Sequence, residues 1–92
     1  MEIIWSKRAE KSYLKILEYI LEEWSLKEAE AIEEKIFSFL KALATQRKMC
    51  PESKVTGLRK CVVSKQTSLI YKIKDEKLHV HLFIDNRRRH VY

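Results

Sequence analysis

From Lys7 onward the apolar positions Ala9, Tyr13, Ile16, Leu17, Ile20, Leu21 and Trp24 recur at steps of three and four, which places them on one face of a helix. Ahead of it, Glu2-Ile3-Ile4-Trp5 is short and β-prone, and Ser6 is a good N-cap. A first strand therefore runs directly into this helix, which ends near Glu23. Ser25-Leu26-Lys27-Glu28 has the spacing of a capping box: the Ser25 hydroxyl accepts from the Glu28 amide, and the Glu28 carboxylate reaches back to the amide of Ser25. A second stripe follows at Ala29, Ile32, Ile36, Phe39, Leu40 and Leu43, and the short gap between the stripes makes an antiparallel helix hairpin. Tyr13, Tyr19, Trp24, Phe37 and Phe39 fall at helical spacing and are read mostly as core rather than as a partner-binding surface.

After a basic loop from Arg47 to Gly57, which holds Lys48, Pro51 and Lys54, the period changes. Three apolar runs, Leu58 to Val63, Ser68 to Ile73 and Leu78 to Ile84, are joined by the polar connectors Ser64 to Thr67 and Lys74 to Lys77. These are short enough for antiparallel neighbours and too short for parallel ones. In the third run Leu78, Val80, Leu82 and Ile84 alternate with His79, His81, Phe83 and Asp85, so one face is apolar and the helices must cover it. Tyr71, on a central strand, reads as core. The expected fold is α+β over one domain, residues 1–92: an N-terminal strand, an antiparallel helix hairpin, then a three-stranded antiparallel meander, all in one small sheet.

Composition narrows the function classes. At 46% apolar residues with one Gly and one Pro the chain is not a disordered one, and no apolar run approaches the roughly 20 residues of a membrane span. The N-terminus has no charged-then-apolar leader, so a cytoplasmic location is expected. In that compartment Cys50 and Cys61 are expected as free thiols. His79, His81 and His90 are too scattered for a zinc site, and no metal or other cofactor is expected. Residues 1–46 hold 7 Lys/Arg against 9 Asp/Glu, a net −2, while residues 47–92 hold 12 against 4, a net +8. The positive potential thus belongs to the sheet half, where it suits a polyanion or an acidic protein partner.

Four stretches carry a family resemblance: Ile3-Ile4-Trp5-Ser6 leading to Ala9, the Gly57-Leu58-Arg59 entry to the meander, Leu69 to Asp75, and the closing Asn86-Arg87-Arg88-Arg89-His90-Val91-Tyr92. In their order and spacing the chain resembles, over its whole length, the RelE/ParE superfamily of toxins from type II toxin-antitoxin modules. The resemblance implies a cognate antitoxin, expected to present an acidic or amphipathic segment to the helices or the basic face. It also implies growth inhibition, either by cleaving messenger RNA on the ribosome (the reading ranked first here) or by poisoning DNA gyrase. A member that binds nucleic acid without catalysis, or binds only its antitoxin, is the further alternative.

Metal-free RNA cleavage needs a deprotonated 2′-hydroxyl, cations on the pentavalent phosphate and a proton for the 5′-oxygen, and Arg meets phosphate oxygens in a bidentate way. The resemblance places Arg59 and Arg88 at cation positions of the RNA-cleaving members and matches Tyr92 to their C-terminal Tyr. His90 is similar to the His-Tyr ending of the YoeB-like branch. Arg59, Arg88, His90 and Tyr92 are thus the candidate catalytic residues, with Lys48, Lys54, Lys60, Lys65, Arg87 and Arg89 as candidate RNA or phosphate contacts. By the same resemblance Cys61 and Ser68 stand where such members carry cations, so either Lys54, Lys60 or Lys65 compensates or the chain is not a RelE-type nuclease.

Overall fold

A computed structural model describes residues 1–92. Strand β1 (Glu2–Trp5) is followed by helices α1 (Lys7–Glu23) and α2 (Leu26–Leu43), then by strands β2 (Arg59–Val62), β3 (Thr67–Lys74) and β4 (Lys77–Asp85). The boundaries follow local chemistry. The Ser6 hydroxyl accepts from the Ala9 amide at 2.9 Å and donates to the His81 carbonyl at 2.7 Å, so it caps α1 and ties it to β4 at once. The Ser25 hydroxyl accepts from the Glu28 amide at 3.1 Å, starting α2 with only two residues between it and α1. The β3–β4 turn is Asp75-Glu76, both with positive φ (53° and 60°), the left-handed pair that lets a two-residue hairpin follow the strand twist.

The sheet has the order β1-β4-β3-β2. The meander β2-β3-β4 is antiparallel as expected, and β1 joins it parallel to β4, with Ile3 opposite Leu78 and Trp5 opposite Val80. The helix hairpin covers one face. There Ile36, Leu40 and Leu43 of α2 and Ala9 and Ile20 of α1 share one buried cluster with Cys61, Val63, Leu69, Tyr71, Leu78, Val80 and Phe83.

Three expectations are corrected. The first is the uniform apolar face of β4. Its register with β3 passes from Tyr71 opposite Val80 to Ile70 opposite Leu82, leaving His81 unpaired in a β-bulge. Past the bulge the faces exchange: Phe83 enters the helix-side core against Trp5 and Tyr13 (ring centroids 5.3 and 5.6 Å), while Leu82 and Ile84 join Ile70 on the opposite face.

The second concerns the cysteines. Cys50 and Cys61 form a disulfide, with Cα atoms 5.1 Å apart, because the loop 44–58 folds back along β2. The Lys60 amide donates to the Pro51 carbonyl, and Glu52 bridges to Arg59. The third concerns the helix aromatics. Tyr13 and Phe39 pack on the core, but Tyr19, Trp24 and Phe37 are exposed, since a two-helix layer has an outer surface that the apolar stripe overruns. Tyr13 donates to the Glu33 carboxylate; burial, with help from that partner, raises its pKa.

Candidate functional site: the open face and the C-terminal tail

The face of the sheet without helices is closed by the chain itself. Ile70, Leu82 and Ile84 form a small buried cluster, over which Leu58 and Tyr92 pack. The tail is fastened at both ends. At its root the Asn86 amide donates to the Gln66 carbonyl at 2.7 Å, and the Asn86 side chain accepts from the Ser68 hydroxyl at 2.7 Å and donates to the Ser64 carbonyl at 3.3 Å. At its tip the Tyr92 carbonyl accepts from the Lys54 amide at 3.2 Å and the Ser53 hydroxyl at 3.3 Å.

Next to the root, Arg87 is taken up by neighbours. Its guanidinium donates to both carboxylate oxygens of Asp85 (3.0 and 2.9 Å) and to the Tyr19 hydroxyl at 3.1 Å, while its Cζ lies 4.8 Å from the centre of the Tyr19 ring. These bonds raise the Arg87 pKa and, led by the Arg87 side chain and opposed by burial, hold Asp85 below the usual carboxylate range. Arg88 is free by comparison: its side chain is 85% exposed and only grazes Asp85 at 3.9 Å. Arg89 and His90 are exposed.

The Arg87 clamp has a pH dependence of known sign. A carboxylate whose folded pKa is depressed contributes stability above its unfolded value, about 3.9, and loses it as the pH falls through the folded value. As the pH falls past about 3.9 and on through the lower folded value, the Arg87 Nε–H resonance is therefore expected to lose its distinct shift and merge with those of Arg88 and Arg89, and Asp85→Asn should reproduce this at neutral pH. A distinct Arg87 resonance in Asp85→Asn would refute the clamp.

The candidate residues are brought together only in part. The Tyr92 ring lies 6.3 Å from His90 and 6.4 Å from His81, centroid to centroid. Burial, and then the charges of Arg8 and Lys72, hold the His81 imidazole below its ordinary pKa, so it is neutral at neutral pH amid cations. Lys60 is paired with Ile70 and alternates with Cys61, which puts it on the open face. Lys65 sits in the β2–β3 turn, where its carbonyl accepts from Asn86, and Lys54 meets the tail through its backbone. Lys48 lies in the loop, exposed, with no ion pair.

Arg59 stands apart from Arg88. It shares the Cys61 side of β2, the helix-covered one, and its guanidinium donates to the Cys50 carbonyl at 2.7 Å. Its opposite residue on β3 is Tyr71, whereas Asp85, three residues before Arg88, is opposite Thr67, roughly 13 Å further along the strand. Neither position that departs from the cation pattern has room for a compensating charge: Cys61 is bridged, and Ser68 is fully buried beneath Asn86.

Sequence reasoning passed over Tyr19, Asp85, His81, Arg8 and Lys72. Asp85-Asn86-Arg87 did carry a local signal, since the Arg87 amide donates to Asp85 Oδ1 at 2.9 Å in an Asx turn. The others meet the site only through long-range packing.

Comparison with known proteins accords with this architecture. No curated protein matches the chain. Among solved structures, a chain of the chromosomal ParDE toxin-antitoxin system from P. aeruginosa superposes with a TM-score of 0.77 at 16% identity, covering 92% of this chain and 95% of that one. A chain of the YoeB-YefM complex from Staphylococcus aureus gives 0.64 at 16% identity over 91% and 94% of the two chains. The YoeB/ParE toxin from Agrobacterium tumefaciens gives 0.64 at 12% over 94% and 99%. At such identities these likenesses establish the fold. The family follows from the sequence match over residues 3–91 to the model of the ParE toxin of the type II toxin-antitoxin system parDE. The chain belongs to that toxin family, within the RelE/ParE superfamily.

Proposed function

We propose that this toxin acts in the cytoplasm as a gyrase-directed growth inhibitor rather than as a messenger-RNA nuclease, and that it is neutralised by an antitoxin presenting an acidic or amphipathic segment. The observation that carries the reading is the dispersal of the cations a phosphate-cleaving site requires. Stabilising a pentavalent phosphate takes positive groups converging on one point, and each missing contact of this kind commonly costs about 3 kcal/mol of transition-state stabilisation. Arg59 is spent on the Cys50 carbonyl and faces away from the tail, Cys61 is a disulfide partner, and Ser68 is buried. The match to the ParE family model agrees with this choice.

A second reading keeps ribosome-bound messenger RNA as the target. The juxtaposition of Tyr92, His90 and His81 favours it, because a phenol and two imidazoles can exchange protons with a bound nucleotide. Arg88, exposed and unclaimed, is the contact to the target in either case.

Induction of the chain without its antitoxin discriminates the two. The expected result is growth arrest with gyrase-dependent DNA breaks and intact messages. Arg88→Ala should relieve the arrest at equal protein level, because losing one charged contact weakens target binding by roughly thirtyfold or more. In-frame cuts in ribosome-bound messages that vanish in Tyr92→Ala would overturn the gyrase reading.

A further inference from the structure

The loop 44–58 is held by several ties centred on Cys50. The Tyr71 hydroxyl donates to the Arg47 carbonyl at 2.8 Å, the Arg47 side chain pairs with Glu76, the Arg59 guanidinium donates to the Cys50 carbonyl at 2.7 Å, and the Lys60 amide donates to the Pro51 carbonyl at 3.0 Å. All of these are non-covalent polar contacts, and the Cys50–Cys61 bridge is the covalent tie among them. Immediately beyond the bridge the loop takes hold of the tail, through the Lys54 amide and Ser53 hydroxyl on the Tyr92 carbonyl. The Ser53 amide in turn donates to the Leu58 carbonyl at 2.8 Å, so the residues gripping the tail are fixed to the other residue that caps Ile70, Leu82 and Ile84. Between Arg88 and Tyr92 the tail makes no backbone hydrogen bond of its own. Its position rests on the grip at Tyr92 and on the packing of that ring.

We propose that Cys50 and Cys61 form a redox-controlled clasp: as a disulfide they hold the loop against β2 and, through Ser53 and Lys54, keep the C-terminal tail down on the open face, while reduction lets the tail lift. In the reducing direction a small or protein dithiol attacks the Cys50 sulfur, the partner in the loop, and the S–S bond breaks. The second thiol of the reductant then displaces Cys50 from the mixed disulfide. Two electrons and two protons pass to the cysteines, and the reductant leaves as a disulfide. Both cysteines are buried (5% and 1% exposed), so exchange waits on local opening of the loop. Once the bridge is gone, the loop regains conformational freedom that the cross-link had removed. The lifted tail carries Arg88, Arg89 and His90 with it and uncovers Ile70, Leu82 and Ile84. The clasp acts whichever target the toxin has.

Amide hydrogen exchange on the full chain, oxidised and after dithiothreitol, tests this directly. Reduction is expected to speed exchange of the Lys54 amide tenfold or more and to leave the β3 amides of Leu69 and Tyr71 within twofold. The double variant Cys50→Ser/Cys61→Ser should show the fast Lys54 exchange with or without dithiothreitol. Ser53→Ala should speed it in the oxidised protein, with the bridge intact. Equal Lys54 exchange in the oxidised and reduced chains would overturn the proposal. So would acceleration spreading through β3, which would make the bridge a staple of the whole fold, or a response to dithiothreitol in the double variant.

Discussion

Phe83→Ala is expected to lower the unfolding free energy by about 3–5 kcal/mol, a large part of the roughly 5–15 kcal/mol that holds a domain together. Phe83 is 3% exposed and sits among Trp5 and Tyr13, so truncation removes the aromatic contacts and leaves a hole walled by β1, α1 and β4. The Phe83 amide also accepts no slack from its surroundings, since it donates to the Ser12 hydroxyl at 2.9 Å and pins the backbone in place. Urea unfolding of the variant is the measurement. A loss under about 1 kcal/mol would mean that Phe83 faces solvent, as unbroken alternation along β4 requires, and that the bulge at His81 is absent.

Ser68→Arg is expected to destabilise the chain by about 3 kcal/mol or more and to confer no RNA-cleaving activity. The substitution restores, on paper, a cation that RNA-cleaving relatives are expected to carry. Ser68, however, is fully buried, flanked on β3 by Thr67 and Leu69, with its hydroxyl committed to Asn86. A guanidinium there must either stay buried without a carboxylate partner or push Asn86 off and release the root of the tail. Thermal unfolding together with an assay on ribosome-bound message reads both parts. A stable Ser68→Arg protein that cuts message would show that this position can serve the site after all.

The helices were legible because their stripes are long and each begins at a serine whose hydroxyl accepts from the amide three residues on. The three meander strands were legible to within a residue or two from runs and connectors. The bulge was not, because alternation along β4 reads the same with or without it; only pairing with β3 shows that His81 has no opposite residue. The disulfide was hidden for a related reason: a loop without periodicity gives no hint of where Cys50 lands. At the site, Arg88 was readable as an exposed tail cation, whereas the fate of Arg59 depended on the parity of β2. Had Cys61 been placed in the core, Arg59, two residues earlier, would have followed it to the helix side. The hold of Tyr19 on Arg87 spans 68 positions of sequence and left no local trace.

The parallel pairing of β1 with β4 sets the order of events during synthesis. The Ser6 amide reaches the Val80 carbonyl at 3.1 Å and its hydroxyl the His81 carbonyl, 75 positions away, so the first strand has no partner until the fourth is made. Contacts of such sequence separation slow folding and leave the waiting segments exposed. A ribosome still translating β3 therefore carries a chain with two amphipathic helices and no sheet to cover them. Only when β4 has paired with β1 on one side and β3 on the other is the sheet complete, so the apolar stripes of both helices find their full cover last.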